Sequence, residues 1–157
     1  MQRCVRSFSS ISQGGKKIAV IFSGSGVYDG TEITEGVSTL IHLSAGNATA
    51  SVYAPNKNSM HTINHMDGTE MDSVRNVMIE SSRISRGSIT DLASLDASKY
   101  DGLIIPGGFG AAKNLSTFAT EGADMNVDED VKNAILNFRA ADKPIGLCCI
   151  APTIVAA

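Results

Sequence analysis

The sequence predicts an α/β domain with a parallel sheet covered by helices on both faces, and three observations carry that expectation. Short apolar runs of strand length alternate with segments of helical spacing. Several of those runs end abruptly in glycine, proline or cysteine, as strands do where loops gather above a parallel sheet. The chain has 157 residues, 43% of them hydrophobic, enough for one domain with a real core.

Each element has its own signal. Lys17 to Ser23 (KIAVIFS) reads as a buried strand, and Glu32 to Ala45 places Ile33, Val37, Leu40 and Ile41 at helical spacing. Thr49 to Ala54 is a second strand. A polar, irregular region with His61 and His65 follows Pro55, then a helix from about Asp72 to Ile84 with an acidic N-cap candidate. Tyr100 to Ile105 is a strand that stops at Pro106-Gly107-Gly108. Asp128 to Ala140 is an amphipathic helix with acids in its first turn, where the helix dipole favours them. Pro144 to Cys148 is a last strand, and Ile150 opens a further helix. Strand, helix, strand in repetition is the pattern of crossover connections within one parallel sheet.

Charge and composition exclude several classes. The net charge is -3, which argues against a nucleic-acid footprint, and no apolar run reaches the roughly 18 residues of a membrane span. The charge is unevenly spread. Residues 1–17 hold four of the thirteen bases (Arg3, Arg6, Lys16, Lys17) and none of the sixteen acids, leaving the body near -7. An Arg- and Ser-rich, acid-free start is the composition of an organellar transit peptide, so residues 1–16 are expected to be a mitochondrial leader and 17–157 the domain. Cys4 lies in that leader and Cys148 and Cys149 are neighbours, so no disulfide framework is expected.

Three strand ends invite chemistry: SGSGVYDGTE after the first strand, PGGFGAAKN after the Tyr100–Ile105 strand, and the cysteine pair in GLCCIAPT. A dinucleotide site does not fit the first, because Gly30 falls one residue late for G-x-G-x-x-G and the second strand ends in Pro55-Asn56-Lys57 without a ribose-binding acid. His61 and His65 sit four apart, yet no carboxylate or cysteine completes a ligand set by spacing. Neither cofactor nor metal is expected. The cysteine pair carries more. A residue on the tight turn from strand to helix is held strained with its side chain lifted out of the sheet, the geometry enzymes use for a nucleophile. Cys149 is that residue, and the N–H groups of a following helix would favour its thiolate. Cys148 still belongs to the strand and is expected to point into the core as a small hydrophobe.

Phe22 to Gly30 (FSGSGVYDG), Asn64-His65, Arg75 to Val77, Pro106 to Leu115 (PGGFGAAKNL) and Cys149 to Pro152 (CIAP) together resemble the ElbB type of the ThiJ/PfpI superfamily, which is class I glutamine-amidotransferase-like. The basic leader points to its mitochondrial, ES-one branch. The resemblance implies a flavodoxin-like three-layer sandwich, truncated here after the elbow turn. It also implies site residues. The nucleophile matches Cys149, the oxyanion donors match the backbone N–H groups of Gly108 and Ile150, and the glutamate that shares a proton with the thiol matches Glu32, with Glu35 as the fallback. In many superfamily members a histidine directly follows the cysteine or a later one completes a triad; Ile150 stands at that position and no histidine follows Cys149. Glutamine hydrolysis, which needs Cys, His and Glu together, is therefore not expected. Full-length relatives continue beyond the elbow helix and are homo-oligomers, so the present chain reads as a fragment or a shortened isoform with an open sheet edge.

Three function classes stay open. The first is a cysteine-dependent, glyoxalase-like activity on a small-molecule aldehyde such as glyoxal or methylglyoxal in the mitochondrial matrix. The second is a redox-responsive or mitochondrial maintenance protein that uses the same thiol without turnover. The third is a truncated, inactive isoform.

Overall fold

The computed structural model describes residues 15–156. The expected leader lies almost entirely outside the described residues. Five parallel strands form one sheet, and the chain enters it at its centre. β1 (Lys17–Ile21) is followed by α1 (Ile33–Ala45), β2 (Thr49–Ala54), α2 (Val77–Ser85), β3 (Thr90–Asp91), β4 (Gly102–Ile105), α3 (Phe109–Lys113), α4 (Phe118–Glu121), α5 (Glu129–Ala140) and β5 (Ile145–Leu147). A five-residue 3-10 segment, Ala151–Val155, follows the last strand.

The strand order is β3-β2-β1-β4-β5. With the two-residue edge strand β3 set aside, the remaining four follow the order of a flavodoxin-like sheet. β1 pairs with β2 from Lys17↔Thr49 to Ile21↔Tyr53, and with β4 from Ile18↔Gly102 to Val20↔Ile104. It is buried from both sides because its residues alternate. Ala19 and Ile21 join a core with Leu103, Ile105, Val131 and Phe138 on the α5 face, whereas Val20 and Phe22 join Val52, Leu40, Leu43 and Ile84 beneath α1 and α2. A run of β-branched and apolar residues is what a strand sandwiched between two helical layers needs.

The helix ends are explained by their caps. α1 begins where the Glu32 side chain accepts a hydrogen bond from the Glu35 N–H. α2 begins at Val77 and not near Asp72, because Asn76 supplies the cap by accepting from the Ile79 N–H. α5 buries Val131, Ala134 and Phe138, one stripe at helical spacing. A second difference from expectation follows β5: instead of an α-helix opening at Ile150, the chain makes the short 3-10 segment, with Pro152 near its start.

The sheet order reverses between β1 and β4, so the loops after these two strands diverge and leave a crevice at their carboxyl ends. Ligands of open α/β sheets bind at that position. β5 lies next to β4, bringing the cysteine pair to the same end.

Candidate functional site at the strand ends

Three loops meet above β1, β4 and β5, and a buried asparagine ties two of them together. The Asn114 side-chain N–H₂ donates to the carbonyls of Ser23 (2.8 Å) and Asp29 (2.9 Å), while its oxygen accepts from the Met60 N–H (3.0 Å). Asp29 in turn accepts from the Ile63 N–H at 2.7 Å. The irregular segment after β2 is thereby fixed to the glycine-rich loop after β1. Sequence reading had no reason to single out Asn114, since its partner carbonyls lie 85 and 91 residues away. Its place in PGGFGAAKNL was the available signal.

The turn after β4 is the centre of the site. The Gly107 N–H donates to the Glu35 carboxylate at 2.7 Å, and the Gly107 carbonyl accepts from the Glu32 N–H at 3.0 Å. A Cβ on Gly107 would stand 2.4 Å from Cys149 Cβ, 2.8 Å from Glu35 Oε2 and 3.0 Å from the Cys148 carbonyl oxygen. Cysteine and carboxylate therefore face each other across a residue that has room for hydrogen alone. Gly108 has φ +96°, a conformation that glycine adopts without penalty, and here a side chain would meet the Gly30 carbonyl at 2.3 Å. Among the described residues, neither the Gly108 nor the Ile150 N–H has a hydrogen-bond acceptor.

Cys149 occupies the left-handed region with φ 54°. Three other described non-glycine residues share that sign: Asn47, Arg86 and Asp142. Each of those follows or caps the end of α1, α2 or α5, where left-handed residues are common. Cys149 stands beyond a strand instead, at a cost of roughly 1–2 kcal/mol. Its side chain is exposed, and both Cys148 and Cys149 are free thiols. Cys148 lies just past β5, which ends at Leu147 rather than at Cys148, and is only half-buried rather than in the core. Burial first, then the negative charge of Glu35, push the Cys148 thiol above its ordinary range.

The two glutamates do different work. Glu32 uses its carboxylate as the N-cap of α1, accepting from the Glu35 N–H at 2.7 Å. Glu35, one turn on, is the glutamate whose carboxylate reaches the Pro-Gly-Gly turn. Of the histidines, His42 lines a cavity together with Glu35 and Cys148, while His61 and His65 lie on the segment after β2. His42 Nδ1 hydrogen-bonds the Ser38 carbonyl oxygen on α1 (2.8 Å), His61 is paired loosely with Glu70 (4.0 Å), and His65 Nε2 accepts from the Tyr28 N–H (3.2 Å). Among the described residues no three His, Cys, Asp or Glu side chains cluster as metal ligands, and no helix is long and apolar enough to cross a membrane.

Fold and strand-end geometry define an α/β domain with a parallel sheet and a cysteine in the left-handed region at the turn after its last strand. No family model matches the chain. It is 51% identical to a human protein named glutamine amidotransferase-like class 1 domain-containing protein 3, mitochondrial, over 94% of its own length and 55% of that protein's. A crystal structure from Ehrlichia chaffeensis, described as an isoprenoid biosynthesis protein with an amidotransferase-like domain, shares 39% identity. It superposes with a TM-score of 0.85 over 90% of this chain and 67% of that one. An Anabaena variabilis protein with DJ-1/ThiJ/PfpI-like and ferritin-like domains has the same fold at 14% identity, with a TM-score of 0.55 over 89% of this chain and 31% of that one. The chain belongs to the class I glutamine-amidotransferase-like family of the mitochondrial ES1 proteins, and it shares the fold of DJ-1/ThiJ/PfpI-like domains. Curated relatives from human, rat and zebrafish all carry a mitochondrial designation, and the present protein is mitochondrial. It spans about half the length of those relatives.

Proposed function

We propose that the protein acts through Cys149 on small 2-oxoaldehydes such as glyoxal and methylglyoxal, converting them to 2-hydroxy acids in the mitochondrial matrix. The observation that carries this reading is the strained, exposed Cys149 packed against Gly107, opposite the Glu35 carboxylate. Strain of this kind persists where the surrounding structure enforces it, and such residues cluster at active sites.

The chemistry balances without an outside oxidant. The Cys149 sulfur adds to the aldehyde carbon, and the carbonyl electron pair moves to oxygen, which accepts hydrogen bonds from the N–H groups of Gly108 and Ile150 in this reading. Protonation gives a hemithioacetal. Glu35 then takes the proton from the former aldehyde carbon and returns one to the neighbouring carbon, which leaves a thioester of the 2-hydroxy acid. Water hydrolyses the thioester and frees the thiol. The aldehyde carbon is oxidised, the ketone carbon (the second aldehyde carbon in glyoxal) is reduced, and one water is consumed.

In this reading Glu32 positions and Glu35 transfers the proton, a division supported by the cap that occupies Glu32. An exposed free thiol also supports the second reading, oxidation of Cys149 as a signal without turnover. Steady-state consumption of methylglyoxal by the wild type, Cys149→Ser and Cys148→Ser separates the two. Turnover lost only in Cys149→Ser supports catalysis, whereas no turnover in the wild type rejects it.

A further inference from the structure

Beside the elbow lies a cavity of about 530 Å³ lined by Tyr28, Ile63, Phe109, Lys113, Phe118 and Ile150 among its residues. Resting on the reading of Cys149 as a nucleophile, we infer that this cavity receives a flat, apolar substituent on the substrate, so that aryl-substituted 2-oxoaldehydes are favoured over the two- and three-carbon compounds.

Cys149 and Gly108 do not themselves line the cavity, but the chain joins its wall to the elbow at two points. Ile150 directly follows Cys149, and Phe109 directly follows Gly108, the other residue proposed to hold the oxyanion. An aldehyde carbon bonded to Cys149, with its oxygen between the Gly108 and Ile150 N–H groups, would therefore have its remaining substituent beside the walls these two residues begin. A volume of this size falls within the range of about 300–1,000 Å³ seen for drug-sized ligands, far more than a methyl group fills.

The lining is chemically selective and held in place. Tyr28 and Phe109 remain 42% and 46% exposed, an unfavourable state for large apolar rings that a bound aromatic group would relieve. Three rings around one concavity suit offset or edge-to-face stacking with a fourth. The Tyr28 ring also packs against His65, with centroids 4.9 Å apart. Lys113 ties the walls together, because its ammonium donates to the Tyr28 carbonyl at 2.8 Å and stands 5.8 Å from the centre of the Phe109 ring. The loop after β1 and helix α3 are thus joined across the rim, leaving the cavity preformed.

The test compares iodoacetamide with N-benzyl-iodoacetamide, which share a reactive group and differ by one ring, on the full chain with peptide mapping of Cys148 and Cys149. For Cys149 the ratio of benzyl to parent rate should exceed that of N-acetylcysteine by about five- to tenfold, and Phe109→Ala should bring it back near the free-thiol value. Phe109→Leu, which keeps apolar bulk, should retain part of the gain and controls for misfolding. Brisk reaction with both reagents at the free-thiol ratio would overturn the cavity inference and leave the nucleophile reading standing. A benzyl reagent slower than its parent would mean that another stretch of chain or a second copy covers the cavity, and would also overturn it. A Cys149 that reacts with neither removes the nucleophile reading and the inference with it.

Discussion

Replacing Gly107 with alanine adds a single methyl group at the point where thiol and carboxylate meet. Its backbone is not in the left-handed region, so the substitution brings no dihedral penalty, and its effect is purely steric. The new carbon would stand 2.4 Å from Cys149 Cβ and 2.8 Å from Glu35 Oε2, separations that non-bonded atoms do not tolerate, and 3.0 Å from the fixed Cys148 carbonyl. The cheapest escape moves Cys149 outward and breaks the hydrogen bond from the Gly107 N–H to Glu35. Overpacking of this sort costs about 1–3 kcal/mol, or roughly 2–12 °C in Tm for a chain of this size. A displacement near 1 Å at a reacting atom can cost about a hundredfold in rate. Differential scanning calorimetry with methylglyoxal kinetics reads both. Gly87→Ala is the control: a methyl there meets nothing within 4 Å but sits at φ +84°, so it should lower Tm slightly and leave activity unchanged. A Gly107→Ala protein with wild-type Tm and wild-type activity would refute the packing on which the site rests.

The remaining predictions concern the glutamates, the second thiol and the leader. Glu35→Ala should lower kcat on methylglyoxal by about a hundredfold or more with little loss of stability, whereas Glu32→Ala should cost about 1 kcal/mol through the lost cap and leave kcat within about tenfold. The reverse pattern in paired melting and rate measurements would return the proton-transfer role to Glu32. Cys148 is held above its ordinary thiol range, so as pH rises through the gap the unfolded chain loses this proton while the folded chain keeps it. Its contribution is complete below the ordinary thiol value and is lost as pH climbs through the raised one. Urea midpoints measured from neutral to alkaline pH should fall less steeply in Cys148→Ser, and an equal or steeper fall would contradict the assignment. A reporter fused to residues 1–20 should follow a matrix marker in cells; diffuse cytosolic signal would reject the transit reading.

How much of this was legible in the sequence depends on the range of the interactions. The strands of the sheet centre were plain because KIAVI and GLII carry more apolar residues than a half-exposed strand needs. The turn after β5 was plain because two cysteines at a strand end, followed by Pro152, mark it. The family resemblance put Glu32 first and Glu35 second, an order that spacing alone could not secure. Both fall in one helical turn, and the choice depends on which of them caps α1 while the other reaches a glycine 72 residues away. The acidic cap expected near Asp72 gave way to Asn76, which the sequence reading did not consider, because the fold starts α2 at Val77. The short pieces β3, α3 and α4 have too few residues for any period to show, and the 3-10 segment after Cys149 replaced a helix that its composition equally allowed.

Product analysis tests the central claim most directly. Methylglyoxal labelled with carbon-13 is followed by NMR with the wild type, Cys149→Ser and Cys148→Ser, without added thiol or redox cofactor. The account predicts one lactate formed for each methylglyoxal consumed over many turnovers, abolished in Cys149→Ser and retained in Cys148→Ser. Methylglyoxal lost without lactate, or lactate formed equally by Cys149→Ser, would contradict it.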